Sequence, residues 1–219
     1  RKGIDWLIHA YTQEFRRDED VCLVVKDLGT KTFYRYGNYR ELLQQAARDA
    51  SIPEVLYLED NMTEGQLASL YASCHCLVAP YRGEGFGLPI LEAMACGLAP
   101  IVPRGGASDD FVDETTGYLL KAQEVESCHE WRLRGVPTEL SIDVADLRAT
   151  MRQAFEEHEE TKARGIWASE ATLAHFTWQN TARQMTDRIQ ELAKDNVPVR
   201  RKSQPDKPPS LSLCVILRN

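Results

Sequence analysis

Apolar residues change their spacing repeatedly along this chain, and each change marks an element. Over residues 4–15, IDWLIHAYTQEF, they recur at helical intervals, with Ile4, Leu7, Ile8, Tyr11 and Phe15 on one side. VCLVV at 21–25 is a continuous apolar run of strand length, and a polar loop with Gly29 and Gly37 follows it. Residues 38–50 return to a helical pattern with Asn38 as the expected N-cap, and EVLYL at 54–58 reads as a strand after Pro53. TEGQLASLYASC at 63–74 predicts a helix capped by Thr63, and CLVAP at 76–80 a strand. LPILEAMACG predicts a helix with Pro89 in its first turn and Gly97 at its end. APIVP at 99–103 is a strand, a short helix starts near Ser108, and GYLL at 117–120 is a last short strand.

Short apolar strands alternating with helices predict an α/β fold, a parallel sheet covered by helices on both faces. Such sheets bind ligands at the carboxyl ends of their strands, where the loop from Tyr81 to Gly87 lies. Residues 121–141 read as an irregular polar insertion. Residues 143–194 are helical in pattern, broken near Gly165 and again at Phe176-Thr177-Trp178. Residues 195–210 carry four prolines and the basic run Arg200-Arg201-Lys202, the composition of an extended, solvated linker. LSLCVILRN at 211–219 reads as the first strand of a further domain. Arg1 reads as a cut point, not a natural start.

Charge and cysteine content narrow the function. A formal net charge of −7 argues against nucleic acid bound through bulk charge, so an anionic ligand needs a local positive site. No apolar run approaches a membrane span. The six cysteines form no C-x-x-C pair and read as reduced thiols of a cytoplasmic protein, at most peripheral at the inner face of a membrane. Cys74-His75-Cys76 reads as a helix end running into a strand, not as a zinc site.

The segment YRGEGFGLPILEAMACG, Tyr81 to Gly97, carries the chemistry. Gly83, Gly85 and Gly87 alternate ahead of a helix, in neither the G-x-G-x-x-G nor the Walker A pattern. Glycines there let a ligand approach the backbone, and amides at a helix start favour phosphate. Glu92 is the sole charge between Gly85 and Pro103. A carboxylate in apolar surroundings needs water, a cation or a donor, and the paired hydroxyls of a ribose suit it. Phosphate at the helix start and ribose at Glu92 describe a nucleotide, and Glu84 is placed to reach what the phosphate carries.

EGFGLPILE, Glu84 to Glu92, resembles the E-x7-E motif of the retaining glycosyltransferases of family 4. Arg1-Lys2-Gly3 before an amphipathic helix resembles that family's phosphate-binding corner, and LASLYASCHCLVAPYRGEGFGLPILEAMACGLAPIV its central block. The likeness covers roughly residues 1–195. It implies the carboxyl-terminal, donor-binding half of a GT-B fold over 1–194, Rossmann-like with a helical tail, its first strand missing. Lys2 would contact the diphosphate of a nucleotide-sugar donor, and the amides of Gly85, Phe86, Gly87 and Leu88 would cradle it. Glu92 would bind the ribose, and Glu84 would contact the transferred sugar. No metal or other cofactor is expected, since Lys2 and the helix start face the leaving diphosphate.

The resemblance implies an amino-terminal Rossmann-like half as partner, without which the chain is inactive as a transferase, and a glycan, lipid or protein acceptor, as in polysaccharide biosynthesis. Residues 211–219 resemble the start of a family-2 glycosyltransferase, a tandem partner domain. Departures are Gly105-Gly106-Ala107-Ser108-Asp109, where the family often has Gly-Gly and then Pro-Glu, and the long segment 26–37, which would shape a base or sugar pocket. Arg82 either assists the phosphate or is solvated. Two alternatives are a non-catalytic nucleotide-sugar-binding or interaction module, and a glycoside hydrolase with Glu84 and Glu92 as its acid pair.

Overall fold

Residues 2–27, 39–127 and 135–194 are described by the structure, a computed structural model. Asn38, most of the long segment after β1, and residues 195–219 with their expected linker and strand lie outside them. The chain divides into two compact units, Arg1–Ala174 and His175–Asn219.

In the first unit α1 spans Ile4–Glu14, β1 Cys22–Lys26, α2 Tyr39–Ala46, β2 Glu54–Leu58, α3 Glu64–Ala72 and β3 Cys76–Val78. Then come α4 (Leu88–Ala95), β4 (Ala99–Pro103), a 3-10 turn at Ala107–Asp110, β5 (Tyr118–Leu120), β6 (Ala122–Glu126), β7 (Thr138–Ile142), α5 (Val144–Glu156) and α6 (His158–His175). In the second unit α7 (Trp178–Lys194) starts after Thr177, whose hydroxyl accepts from the Asn180 amide at 3.2 Å. The break at 176–177 falls where the pattern placed it.

The expected parallel strands form two hydrogen-bonded groups. β1 pairs with β2, Cys22 facing Glu54 and Lys26 facing Leu58. β3, β4 and β5 pair in that order, with Ile101 between Val78 and Tyr118. Among the described residues no ladder joins the two groups, so β1 and β3 each keep one edge unpaired.

The alternation of side chains sorts β3 to β5 between two cores. Ala99, Ile101, Tyr118 and Leu120 pack with Leu7, Ala10 and Tyr11 of α1 and Leu147 and Met151 of α5. On the opposite face Val102 packs with Ile90, Leu91 and Met94 of α4 and Ala168 of α6. With helices on both sides, all five residues of β4 are buried, which is why APIVP is a continuous apolar run.

Two expectations are corrected. The expected irregular segment 121–141 holds two strands among its described residues: β6 and β7 form an antiparallel pair, Ala122 facing Ile142 and Glu126 facing Thr138. The mostly exposed side chains of β6 leave that strand without the apolar alternation that marks a half-buried strand. The helical stretch breaks at Glu157, not near Gly165, which sits buried inside α6. A Cβ on Gly165 would fall 2.0 Å from the carbonyl oxygen of Gly97, so this glycine brings α6 against the end of α4. That end is a complete Schellman turn: the Leu98 amide donates to Ala93 at 3.1 Å and the Gly97 amide to Met94 at 2.9 Å.

The Thr63 cap stands as expected. Its hydroxyl accepts from the Gln66 amide at 3.3 Å, and the Gln66 side chain accepts from the Thr63 amide at 2.9 Å.

Candidate functional site

Gly3 sets the first edge of the site. It caps α1 with φ 70°, and a Cβ there would lie 1.9 Å from the carbonyl oxygen of Pro80. The start of α1 thus lies directly against the chain leaving β3. This contact brings Lys2 to the loop 82 residues later, where its ammonium pairs with a carboxylate oxygen, Oε2, of Glu84. The other oxygen, Oε1, accepts the Gly85 amide at 2.9 Å. The Glu84 side chain is only 12% exposed, while that of Lys2 is 63% exposed.

The loop is fixed from both sides. Arg82 forks onto the Asp5 carboxylate, with bonds of 2.8 and 2.6 Å, and its guanidinium lies 3.6 Å from the centroid of the Trp6 ring. Those hydrogen bonds hold the Asp5 carboxyl below its ordinary pKa, against the opposing effect of burial. The Arg82 carbonyl accepts the Leu140 amide of β7 at 2.8 Å. Neither reading of Arg82 from the sequence describes this clamp; Asp5 and Trp6 gave no signal because their partner is 77 residues away. Beneath the loop, the buried Tyr81 hydroxyl meets the Ser108 hydroxyl at 2.6 Å and accepts the Ser108 amide at 3.2 Å. In the segment that departs from the family pattern, Asp109 accepts the Gly105 amide at 2.7 Å.

Gly87 caps α4 with φ 96°, a left-handed position that suits glycine. Its carbonyl accepts the Ile90 and Leu91 amides at 2.8 and 3.1 Å. The amides of Phe86, Gly87 and Leu88 have no hydrogen-bond partner among the described residues. Pro89 has no N–H to satisfy, so three donors at the positive end of α4 remain for something else. Gly83 and Gly85 add a further observation. Neither has positive φ, and among the described residues a Cβ on either would meet no atom beyond its chain neighbours within 4 Å. Neither backbone conformation nor packing against the described residues requires glycine at these two places.

Glu92 lies on the exposed face of α4 while Ile90, Leu91, Ala93 and Met94 are buried, which places the single acid of this apolar helix. Four residues past Leu88, it lies about 6 Å further along the helix axis. Its carboxylate forms no hydrogen bond or ion pair among the described residues. Partial burial raises its pKa, and the neighbouring Glu64 carboxylate of α3 adds to that shift. A carboxylate held away from cations, beside another acid, is disposed to accept hydroxyl donors. The structure therefore brings together Lys2, Glu84 and Gly85 and leaves Glu92 on the next helix, facing α3.

Among the described residues no group of three or more His, Cys, Asp or Glu side chains is arranged to hold a metal ion. Cys76 is inside the fold, its thiol 3.0 Å from the Ala99 carbonyl and its pKa pushed by burial up to about 12. Among the described residues no helix is long and apolar enough to cross a membrane.

Comparison with known proteins places this geometry. Residues 1–131 match the family described as Glycosyl transferases group 1. The chain is 26% identical over 195 residues to the GDP-mannose-dependent alpha-(1-6)-phosphatidylinositol monomannoside mannosyltransferase of Mycolicibacterium smegmatis, covering 85% of this chain and 44% of that protein. It is 30% identical over 202 residues to a serotype-specific mannosyltransferase WbdA of Escherichia coli, covering 90% of this chain and 21% of that protein. The chain thus spans less than half the length of these relatives.

Among solved structures, Anabaena HepE in complex with UDP superposes with a TM-score of 0.66 at 20% identity, over 87% of this chain and 46% of that one. The C-terminal domain of the group 1 glycosyl transferase LpcC of Francisella tularensis superposes with a TM-score of 0.62 at 20% identity, over 81% and 80% of the two chains. The fold is the Rossmann-like carboxyl-terminal half of GT-B.

Proposed function

The chain belongs to the glycosyl transferases group 1, and from that membership we propose that it is the donor-binding half of a retaining, family 4 glycosyltransferase. It would hold a nucleoside-diphosphate sugar whose sugar passes to a glycan, lipid or protein acceptor. The observation that carries this reading is the loop before α4. Three amides there lack a hydrogen-bond partner among the described residues, and a Cβ on Gly85 would meet no atom of those residues beyond its chain neighbours within 4 Å. A diphosphate accounts for both, since it accepts the amides and needs the backbone bare to reach them.

In this reading Lys2 and the amides of Gly85, Phe86, Gly87 and Leu88 hold the diphosphate and stabilise charge as it leaves. Glu92 accepts the two ribose hydroxyls, and Glu84 lies on the sugar side. Guanine is the base to test first. The Mycolicibacterium relative is named as GDP-mannose-dependent, and the Escherichia coli relative is also named as a mannosyltransferase. Sugar transfer itself would need the amino-terminal half of the cleft.

The test is a calorimetric titration of GDP, UDP and ADP into the purified chain and into Glu92→Ala, with circular dichroism confirming equal folding. The expected result is saturable binding of one nucleotide, weakened at least about tenfold in the variant. A folded chain that binds none of the three, or a variant that binds as tightly as the parent, overturns the reading.

A further inference from the structure

The Glu84 carboxylate already occupies two of the groups that the diphosphate is proposed to use. One oxygen is on the Lys2 ammonium and the other on the Gly85 amide. We infer that Glu84 is an internal stand-in for the donor phosphate: the empty site is closed by its own carboxylate, and donor binding expels that carboxylate toward the sugar. The inference rests on the donor-binding reading above and adds a sequence of events to it.

Donor arithmetic gives the reason. An ammonium has three N–H donors, so Lys2 can serve a carboxylate and a phosphate together. A backbone amide has one, so Gly85 cannot. Phosphate on the Gly85 amide and Glu84 on the same amide exclude each other. Two carboxylate and phosphate charges around a single ammonium also repel, which adds to the displacement.

The surroundings favour rotation of the side chain over movement of the loop. The Arg82 fork on Asp5 and the Leu140 amide on the Arg82 carbonyl pin the backbone just before Glu84. Pro80, in contact with Gly3, pins the chain two residues further back. Among the described residues, no atom other than its chain neighbours comes within 4 Å of the place a Cβ on Gly85 would take, next to Glu84. A carboxylate released there leaves the diphosphate subsite without leaving the site. In this way the same residue keeps the two anion-binding groups paired when the site is empty and reaches the sugar when the site is filled.

The stand-in lowers the apparent affinity for any ligand that offers a diphosphate alone, by the fraction of time the carboxylate occupies the site. Glu84→Ala is therefore expected to bind GDP about three- to tenfold more tightly than the parent chain. The same variant should bind GDP-mannose with a smaller gain or a loss, because the sugar contact is gone. A purely structural Glu84 would change both ligands alike.

Two measurements on the purified chain test this, and they separate it from the donor-binding reading. In the absence of nucleotide, the Gly85 amide resonance should shift in Glu84→Gln and in Lys2→Met, and on GDP addition to the parent it should move away from its carboxylate-bonded position. Calorimetry with GDP and GDP-mannose on the parent, Glu84→Ala and Glu92→Ala gives the affinities. An unperturbed Gly85 resonance in both variants, or GDP bound equally or more weakly by Glu84→Ala, overturns the stand-in while nucleotide binding stands. A Gly85 resonance that reports the pair in a folded chain that binds no nucleotide overturns the donor-binding reading, and the displacement falls with it.

Discussion

Two sets of glycines in this chain obey different masters. At the joint of α6 with the end of α4, and at the cap of α1, glycine is demanded by the protein. A Cβ on Gly165 or Gly3 would sit within 2.0 Å of a backbone oxygen. In the loop before α4, Gly83 and Gly85 lie in ordinary backbone regions, and a Cβ on either would meet no atom of the described residues beyond its chain neighbours within 4 Å. The first pair explains itself by what the fold already contains. For the second the described residues supply no packing reason, and the proposed diphosphate would supply one.

The largest effect should come from the packing set. Gly165→Ala and Gly3→Ala each force backbone apart and should lower stability by about 1–3 kcal/mol, measured by urea unfolding. Stability equal to the parent in either would remove the contrast. Gly85→Ala should be the mirror image. Its unfolding free energy should stay within about 0.5 kcal/mol of the parent, while nucleotide affinity falls about tenfold or more. A variant that loses stability and keeps affinity would return Gly85 to the packing set.

A smaller effect belongs to the clamp that holds this loop. In a double-mutant cycle with Asp5→Asn and Arg82→Gln the coupling should be about 1 kcal/mol. Because Arg82 lowers the pKa of Asp5, that contribution is present above the ordinary aspartate range and is lost as pH falls through the folded value. Coupling that does not change with acid pH would argue that the fork is absent in solution.

The smallest stability change is expected at Glu92. Its pKa is raised, so the folded chain holds this proton more tightly than the unfolded chain does. The resulting stability is full at acid pH and is lost as pH rises through the folded value. Glu92→Gln should therefore leave the fold unharmed or slightly stabilised near neutral pH while it weakens nucleotide binding. That split would sharpen the separation between residues that serve the fold and residues that serve the ligand. A marked loss of stability would place Glu92 with the first set.

Much of this was legible along the chain. The apolar runs marked β4 and β2, and Thr63 was read as a helix cap, because those signals are local: one run, one turn, one hydroxyl three residues from its amide. The β6–β7 pair escaped because the mostly exposed side chains of β6 leave no apolar alternation to read there. The break in the long helical stretch was misplaced because a glycine inside a helix looks like a stop until its neighbour is known. Only the fold supplies Gly97 against Gly165.

The site divides in the same way. Local sequence alone determined the glycine loop, the proline in the first turn of α4, and a solitary acid one turn on, because amide donors and helix ends depend on neighbours in the chain. The tertiary structure alone decided that Lys2 reaches Glu84, that Arg82 is committed to Asp5 and Trp6, and that Glu84 rests on the Gly85 amide beside the Lys2 ammonium. The Lys2 and Arg82 pairings join residues about eighty positions apart, which become neighbours only because a glycine lets the start of α1 lie against the end of β3. Long-range pairing of charges leaves no periodicity in a sequence, since either partner alone reads as one more solvated side chain.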